Sequence, residues 1–335
     1  MSAPGGSQDQ QGHQIDGGGR VDSAAGFAPD SAASGEPAAA ARVQLADHLR
    51  ATGRADAAVA AAFLAVPRHA FLPQTELVQA YQDIAVVIKS DGDGLPVSAA
   101  TQPAMMAIML SQLGLAAGHR VLEVGTGTGY NAALLAHIVG GQESVVTVDV
   151  VPELIGRARA NLAAAGYGSV TVVCGDGAAG VPDHAPYDRI IVTAGAWDLA
   201  PQWLAQLSPG GRIVLPLSVR GIQLSVGLET VGDHLVSRSA CRCGFIRMAG
   251  AFSGPESLLA LGPAPGLHAQ AVDGPVPGAD ALYEALSGPA TEEPTGLRAA
   301  GLSELADLDL WLTLAEPGLT RLNMMGRHEA HASPA

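Results

Sequence analysis

Three glycines at alternate positions, Gly125, Gly127 and Gly129, are the residues whose type and spacing most clearly suit ligand binding. A short apolar run with β-branched residues at 121–124 precedes them, and apolar residues at helical spacing follow at 131–139. Glycine allows backbone angles that a Cβ forbids and lets the main chain approach a ligand closely. The first turn of a helix also leaves N–H groups without partners. This strand, glycine turn and helix therefore predict a small-molecule site.

The glycine spacing distinguishes two kinds of site. The pattern is G-x-G-x-G, one residue shorter than the G-x-G-x-x-G that seats a pyrophosphate in dinucleotide-binding proteins. Glu123 lies two positions before the first glycine. The shorter form with a preceding acid is typical of S-adenosylmethionine methyltransferases. A plain tight turn is the alternative interpretation of the glycines taken alone.

Two acidic residues follow later strand-like segments. Asp149 ends the segment 144–149 and lies 20 residues beyond Gly129, close to the spacing at which a carboxylate receives ribose hydroxyls in βαβ nucleotide sites. Asp176 follows the segment 170–174 within Gly-Asp-Gly. A turn aspartate before glycine is common in any protein, but a position directly after a strand favours a role in binding.

The elements that position these residues alternate between strand-like and helix-like patterns, which predicts a parallel, doubly wound α/β sheet. The strand-like segments of this part are 121–124, 144–149, 170–174, 187–193 and 212–217. Residues 223–229 and 234–246 then have two strand patterns with no helix between them. We therefore expect an antiparallel pair of strands at one end of a mostly parallel sheet.

Composition divides the chain into three parts. Residues 1–40 contain almost no large apolar side chain, so this tail is expected to be disordered. Residues 41–250 form the expected sheet domain. Residues 251–335 contain Gly/Pro-rich stretches and helix-like patterns at 279–286 and 302–314, which predict a small helical C-terminal extension.

The 335 residues are 48% apolar, without an apolar run of about 18 residues. The polar N-terminus lacks the pattern of a signal peptide, so a cytoplasmic protein without a membrane partner is expected. The net charge of −14, from 32 acidic and 18 basic residues, disfavours binding to a nucleic-acid backbone. The three cysteines, Cys174, Cys241 and Cys243, are too few for a disulfide framework and predict no metal site.

Seven segments, which follow one another in a fixed order along the chain, carry a specific resemblance to one enzyme family. They are V-P-R-H-A-F-L-P, Y-Q-D-I-A, S-A-A-T-Q-P, V-L-E-V-G-T-G-T-G-Y, G-D-G, Y-D-R-I-I-V-T-A and S-P-G-G-R-I-V-L-P-L. Over 66–216, and more weakly to 250, the chain resembles the protein L-isoaspartyl (D-aspartyl) carboxyl methyltransferases. The resemblance implies a Rossmann-like fold that binds S-adenosylmethionine.

The resemblance also implies which residues form the site. The glycines would line the methionine end of the cofactor, Asp149 would bind the ribose, and Asp176 with Gly177 would contact the adenine. The cofactor-binding residues implied are Glu123, Gly125, Thr126, Gly127, Gly129, Asp149, Val150, Asp176, Gly177 and Thr193. The candidate substrate-binding residues are Arg68, His69, Gln102, Trp197 and Asp198.

The active-site hydroxyl of the family is a serine in a T-I-S-x-P context. Thr101, in A-A-T-Q-P, occupies the matching position here. The hydroxyl is retained, but the added methyl group narrows the pocket. Ser98 is a second candidate hydroxyl.

Two departures from the repair enzymes point to a subgroup that tailors ribosomally made peptides. Its members resemble this chain in the G-A-W-D segment at 195–198, in C-G-F at 243–245, and in a helical extension that ends near the D-L-W-L of 309–312. They methylate an aspartate side chain in a cyclised precursor peptide, and the ester then collapses to an aspartimide. The small repair enzymes have no counterpart of 251–335.

In this reaction the acceptor carboxylate, with a pKa of about 4, is already ionised at neutral pH. No general base is required, and the enzyme has to align the reactants and exclude water. The alternatives are repair of isoaspartyl residues and a non-catalytic module that binds the cofactor. A nucleic-acid methyltransferase would need a basic face, and a dehydrogenase the longer glycine spacing. The sequence leaves the peptide substrate and the oligomeric state undetermined.

Overall fold

In the computed structural model, one continuous domain and parts of a C-terminal extension are described. The described residues are 35–92, 94–220, 222–250, 252–254, 258–263, 267–271, 278–289, 296, 298, 302–315 and 320–324. Most of the tail expected to be disordered, 1–34, lies outside them. Residues 35–40 belong to the first helix.

The domain begins with helices and a separate hairpin. Its first elements are α1 (Gly35–Ala51), α2 (Ala57–Ala65), the short α3 (Leu77–Ala80), β1 (Val86–Ser90), β2 (Pro96–Ala100) and α4 (Pro103–Leu113). Asp56 caps α2 by accepting a hydrogen bond from the backbone N–H of Val59, and Pro103 opens α4, where its missing N–H has no cost. Strands β1 and β2 pair antiparallel in a two-stranded sheet of their own.

The main sheet has seven strands. Its elements are β3 (Val121–Val124), α5 (Tyr130–Val139), β4 (Val145–Asp149), α6 (Pro152–Ala164), β5 (Thr171–Cys174), β6 (Tyr187–Val192), α7 (Pro201–Gln206), β7 (Leu207–Val219), β8 (Ile222–Val231) and β9 (His234–Cys243). The strand order is β5-β4-β3-β6-β7-β8-β9. Strands β3 to β7 pair in parallel, and β8 and β9 add two antiparallel pairings. The predicted mostly parallel sheet with terminal antiparallel strands is confirmed.

Both faces of the parallel strands are buried. Successive residues of β6 alternate between two core clusters, because side chains of a strand point to opposite faces: Ile190 and Val192 join one cluster and Ile191 the other. Apolar side chains of α1, α2, α4 and α5 cover one face, and Trp203 of α7 packs in the cluster on the other. Strands covered on both sides have continuous rather than alternating apolar runs, as 190–192 of β6 does.

The described part of the C-terminal extension contains both predicted helices, α8 (Ala279–Ser287) and α9 (Leu302–Ala315). It also contains the strands β10 (Leu258–Ala260), β11 (Leu267–Ala271) and β12 (Thr320–Met324), which form an antiparallel sheet. The extension is therefore mixed and not helical alone. Among the described residues, no helix combines the length and hydropathy needed to cross a membrane.

Candidate active site

A cavity of about 530 Å³ opens at the carboxyl ends of β3, β4 and β6. Small-ligand pockets typically have about 300–1,000 Å³. The cavity wall contains twelve of the residues that the sequence analysis assigned to the site: Arg68, Ser98, Thr101, Gln102, Glu123, Gly125, Thr126, Gly127, Asp149, Val150, Gly177 and Thr193. The fold thus brings together residues from six separate parts of the sequence.

The glycine turn lies between β3 and α5 at the cavity wall. Gly125 has φ +105°, and a Cβ at this position would overlap the hydroxyl of Thr193. Thr193 donates that hydroxyl to the carbonyl oxygen of Gly125 at 2.8 Å. The hydrogen bond from Thr193 therefore fixes the turn, and the space beside the Thr193 hydroxyl admits only glycine at position 125.

Gly129 does not line the cavity, although Thr128 and Tyr130 on either side of it do. It has φ +86°. A Cβ there would lie 3.0 Å from Cγ of Leu162, so Gly129 allows α5 to pack closely against α6.

Glu123 is completely buried beneath the glycine turn. It accepts hydrogen bonds from Nδ2 of Asn131 at 2.8 Å and from the hydroxyl of Thr147 at 2.6 Å. The hydroxyl of Thr126 lies 2.8 Å from that of Thr147 and so belongs to the same network. Burial raises the pKa of Glu123 to about 7, with a smaller contribution from Asp149, while the two hydrogen bonds lower it.

Asp149 ends β4 and borders the cavity. Its carboxylate accepts from the backbone N–H of Gly127 at 3.1 Å and from that of Val151 at 3.0 Å. Each carboxylate oxygen keeps lone pairs for further donors. Asp149 thereby connects the glycine turn with the start of α6 and can still receive ligand hydroxyls.

Asp176 does not line the cavity, whereas its neighbour Gly177 does. Its carboxylate accepts from the backbone N–H of Ala178 at 3.0 Å. It also faces Gly250, at which a Cβ would lie 2.8 Å from Oδ2 of Asp176. In this structure Asp176 caps a turn, as the alternative interpretation of a Gly-Asp-Gly segment expects.

The candidate hydroxyls border the same cavity as the glycine turn. Ser98 is in β2, and Thr101 and Gln102 form the link between β2 and α4. Nε2 of Gln102 donates to Oδ2 of Asp83 at 3.1 Å, and the backbone N–H of Ala104 donates to Oδ1 of the same residue at 2.8 Å. Asp83 therefore caps α4 and orients Gln102.

Arg68 borders the cavity but has no exposed surface. Its Nε donates to the carbonyl oxygen of Ala80 at 3.0 Å, and its Nη2 donates to that of Thr101 at 2.9 Å. Its guanidinium carbon lies 5.1 Å from the centre of the Tyr130 ring. Burial lowers the pKa of Arg68, and the tyrosines and Asp83 oppose this effect. The expected direct contact with substrate does not fit a side chain covered in this way.

Three further candidate substrate residues lie outside the cavity wall. His69 pairs with the hydroxyl of Tyr81 at 2.8 Å, and burial, with Arg42 nearby, lowers its pKa. Trp197 is 41% exposed and packs on Phe252 at 5.3 Å between ring centroids. Asp198 is exposed and accepts from the N–H of Leu199. The backbone of 195–196 pairs with 216 and 246, so this segment continues along β7 and the segment after β9.

Two parts of the cavity wall were not predicted from the sequence. One is the β1–β2 hairpin apart from Ser98, which contributes Val87, 96–97 and 99–100, and the other is the segment 242–249 at and after the end of β9. Asp83, within Y-Q-D-I-A, was also not assigned a function. The hairpin has a weak signal in its turn at 90–94, but nothing in the sequence indicates that it covers the glycine turn.

The residues present fit an S-adenosylmethionine-like ligand. A glycine turn with close backbone approach, the carboxylate of Asp149 at the end of the next strand, and Gly177 at the third strand border one continuous cavity. A cofactor with hydroxyls and an amino group can be bound by such carboxylates and backbone groups.

Comparisons with known proteins agree with this geometry. Residues 40–251 match the family model described as protein-L-isoaspartate(D-aspartate) O-methyltransferase. The protein-L-isoaspartate O-methyltransferase of Methanopyrus kandleri is 42% identical over 222 residues, which are 65% of this chain and 96% of the relative. That of Methanococcoides burtonii is 38% identical over 61% of this chain and 97% of the relative.

Solved structures agree as well. A protein-L-isoaspartate O-methyltransferase structure matches with a TM-score of 0.58 and 36% identity, over 63% of this chain and 67% of the other. The Plasmodium falciparum protein described as a putative protein-L-isoaspartate O-methyltransferase, in complex with S-adenosyl-L-homocysteine, matches in fold, with a TM-score of 0.54 and 20% identity over 62% of this chain and 98% of the other. The chain belongs to the protein-L-isoaspartate(D-aspartate) O-methyltransferase family.

Proposed function

We propose that this protein is an S-adenosylmethionine-dependent carboxyl O-methyltransferase that esterifies an aspartate side chain in a ribosomally synthesised, modified peptide. The observation that carries the proposal is one cavity that is bordered by the glycine turn, Asp149 and Thr101 together. The resulting ester has methoxide as leaving group, so a neighbouring backbone amide can close an aspartimide without further help from the enzyme.

The cofactor supplies the methyl group on a sulfonium sulfur. The glycine turn binds its methionine end, Asp149 accepts hydrogen bonds from its ribose hydroxyls, and Gly177 contacts its adenine. Thr193 fixes the turn by donating to the Gly125 carbonyl oxygen, and Glu123 connects Asn131, at the start of α5, with Thr147 of β4.

Thr101 orients the acceptor. Its hydroxyl donates to one oxygen of the substrate carboxylate, which leaves the other oxygen free to attack. The β1–β2 hairpin, including Ser98, covers this side of the cavity and excludes water that would otherwise solvate the carboxylate. Because that carboxylate is ionised at neutral pH, alignment is the main contribution of the protein.

The C-terminal extension supports a peptide as substrate. Arg242 lines the cavity and donates to Oδ2 of Asp309 in α9 at 2.7 Å, so α9 contacts a residue of the cavity wall. The family match ends at residue 251, and the extension is therefore additional to the shared domain. An element outside the shared domain that contacts the cavity wall favours an acceptor different from the one that the relatives' names describe.

Repair of L-isoaspartyl residues is the second candidate function, since the family model and the relatives are named for it. The two functions share the chemical step and differ in the acceptor. Incubation with radiolabelled cofactor and either an isoaspartyl peptide or the cyclised precursor peptide separates them. Selective labelling of the precursor, lost when its acceptor aspartate is replaced by asparagine, supports tailoring. Selective labelling of the isoaspartyl peptide contradicts it.

Thr101→Ala tests the assigned hydroxyl. Loss of one hydrogen bond to a charged acceptor should lower kcat by about 10- to 100-fold, with the cofactor Kd, measured by calorimetry, unchanged. Thr101→Ser keeps the hydroxyl and serves as the matched control that retains turnover. Normal turnover by Thr101→Ala would remove this residue from the mechanism.

A further inference from the structure

The segment that contains Thr101 is fixed by two buried or half-buried charged side chains from elsewhere in the chain. We infer that Arg68 and Asp83 are positioning residues, which set Thr101 at the correct place relative to the glycine-turn helix α5. This inference rests on the proposed function, since it concerns the placement of the group that orients the acceptor. Neither residue has to touch the substrate.

Arg68 connects the two sides of the cavity. Its Nη2 donates to the Thr101 carbonyl oxygen at 2.9 Å, and its guanidinium stacks at 5.1 Å on Tyr130, the first residue of α5 after the glycine turn. Its Nε donates to Ala80 at 3.0 Å. One rigid planar group thus touches both the acceptor side and the cofactor side of the site.

The environment of Arg68 is unusual for a buried cation. In the part of the chain that the structure describes, no carboxylate lies within ion-pair distance of it, and its Nη1 has no hydrogen-bond partner. Two carbonyl oxygens and an aromatic face compensate the buried charge instead. A guanidinium presents donors in fixed directions, which an ammonium cannot reproduce. The interactions that Arg68 makes are therefore those that fix the position of Thr101 relative to Tyr130.

Asp83 fixes the same segment from its other end. Its two carboxylate oxygens accept separately from the Gln102 side chain, at 3.1 Å, and from the backbone N–H of Ala104, at 2.8 Å. Thr101 is thereby placed between a hydrogen bond to its own carbonyl oxygen and a capped helix that starts two residues later. Methyl transfer requires donor and acceptor to be aligned closely, and a displacement of about 1 Å can lower the rate about 100-fold.

A double-mutant cycle tests the inference. Arg68→Lys should lower kcat by about 10- to 100-fold, with little change in the cofactor Kd or the peptide KM. In a Thr101→Ala background the same substitution should lower kcat by less than about threefold, because the group that Arg68 positions is gone. Equal factors in both backgrounds, or normal kcat for Arg68→Lys, would overturn the inference.

Asp83→Ala provides a second variant if Arg68→Lys does not fold. It removes both acceptor oxygens, whereas an asparagine could still accept from Ala104 and donate to a reoriented Gln102 amide. It should show the same dependence on Thr101. The matched control is Asp56→Ala, which removes the carboxylate cap of α2 at a residue outside the cavity wall, and should leave kcat unchanged. If Asp56→Ala lowers kcat as much as Asp83→Ala does, the effect of Asp83 is only structural and its assignment is wrong.

Hydrogen exchange separates this inference from the proposed function. In Arg68→Lys, backbone amides at 102–106 should exchange faster than in the wild type, while those of α2 should not change. Absence of labelling of both peptides by the wild type would contradict the proposed function, and the exchange result would still decide whether Arg68 fixes this segment. Unchanged exchange at 102–106 would overturn the inference.

Discussion

Replacing Glu123 by glutamine should change how the stability of this protein depends on pH. Glu123 is fully buried, and burial is the main reason that its pKa lies at about 7. An unfolded chain returns this carboxyl group to water, where its pKa is about 4.5. Between these two values the native protein binds more protons than the unfolded chain, so the free energy of unfolding falls as pH rises.

The size of the effect follows from the two pKa values. A difference of one in pKa corresponds to about 1.4 kcal/mol, so the wild type should lose about 2.5 kcal/mol between pH 5 and pH 8.5 through this residue. Glu123→Gln removes the titration. The glutamine amide can still accept from Asn131 and can donate to the Thr147 hydroxyl, which then donates to Thr126, so the network is retained with reversed hydroxyls.

The assay is urea unfolding at pH 5 and pH 8.5 for both proteins. Glu123→Gln should gain about 2.5 kcal/mol relative to the wild type on going from the lower to the higher pH. Glu143→Gln, a change at an exposed glutamate, is the control and should follow the wild type at both pH values. A difference between Glu123→Gln and wild type that does not vary with pH would refute the assignment of the raised pKa.

Two further predictions concern the cofactor side of the cavity. Gly125→Ala should destabilise the fold by more than about 2 kcal/mol in urea unfolding, because its Cβ would overlap the Thr193 hydroxyl and its φ is +105°. Gly127→Ala is the control and should cost about 1–2 kcal/mol, because its Cβ would meet only a side chain at 3.8 Å and its φ is +51°. Equal losses of stability in the two variants would contradict the reasoning. Asp149→Ala should weaken cofactor binding, measured by calorimetry, by about 10- to 100-fold. Asp198→Ala changes a residue outside the cavity wall and should leave the affinity unchanged. An unchanged cofactor affinity in Asp149→Ala would show that Asp149 does not bind the ribose.

The sequence by itself determined the sheet and half of the site. Apolar runs such as 121–124 indicate strands covered on both faces, and their alternation with helical patterns fixes a parallel sheet. Parallel strands connected by helices all end at the same edge. The glycine turn and Asp149 therefore had to meet, and each is recognisable from a local pattern of a few residues.

Tertiary structure decided the other half. Thr101 borders the same cavity as the glycine turn because the β1–β2 hairpin and its link to α4 line that cavity. The sequence identified Arg68 as a candidate, but its burial and its hydrogen bond to the Thr101 carbonyl oxygen depend on tertiary packing. Trp197, also a candidate, packs on Phe252 and lies outside the cavity wall. Contacts between segments far apart in sequence depend on packing and not on local periodicity, which is why the sequence alone did not determine them.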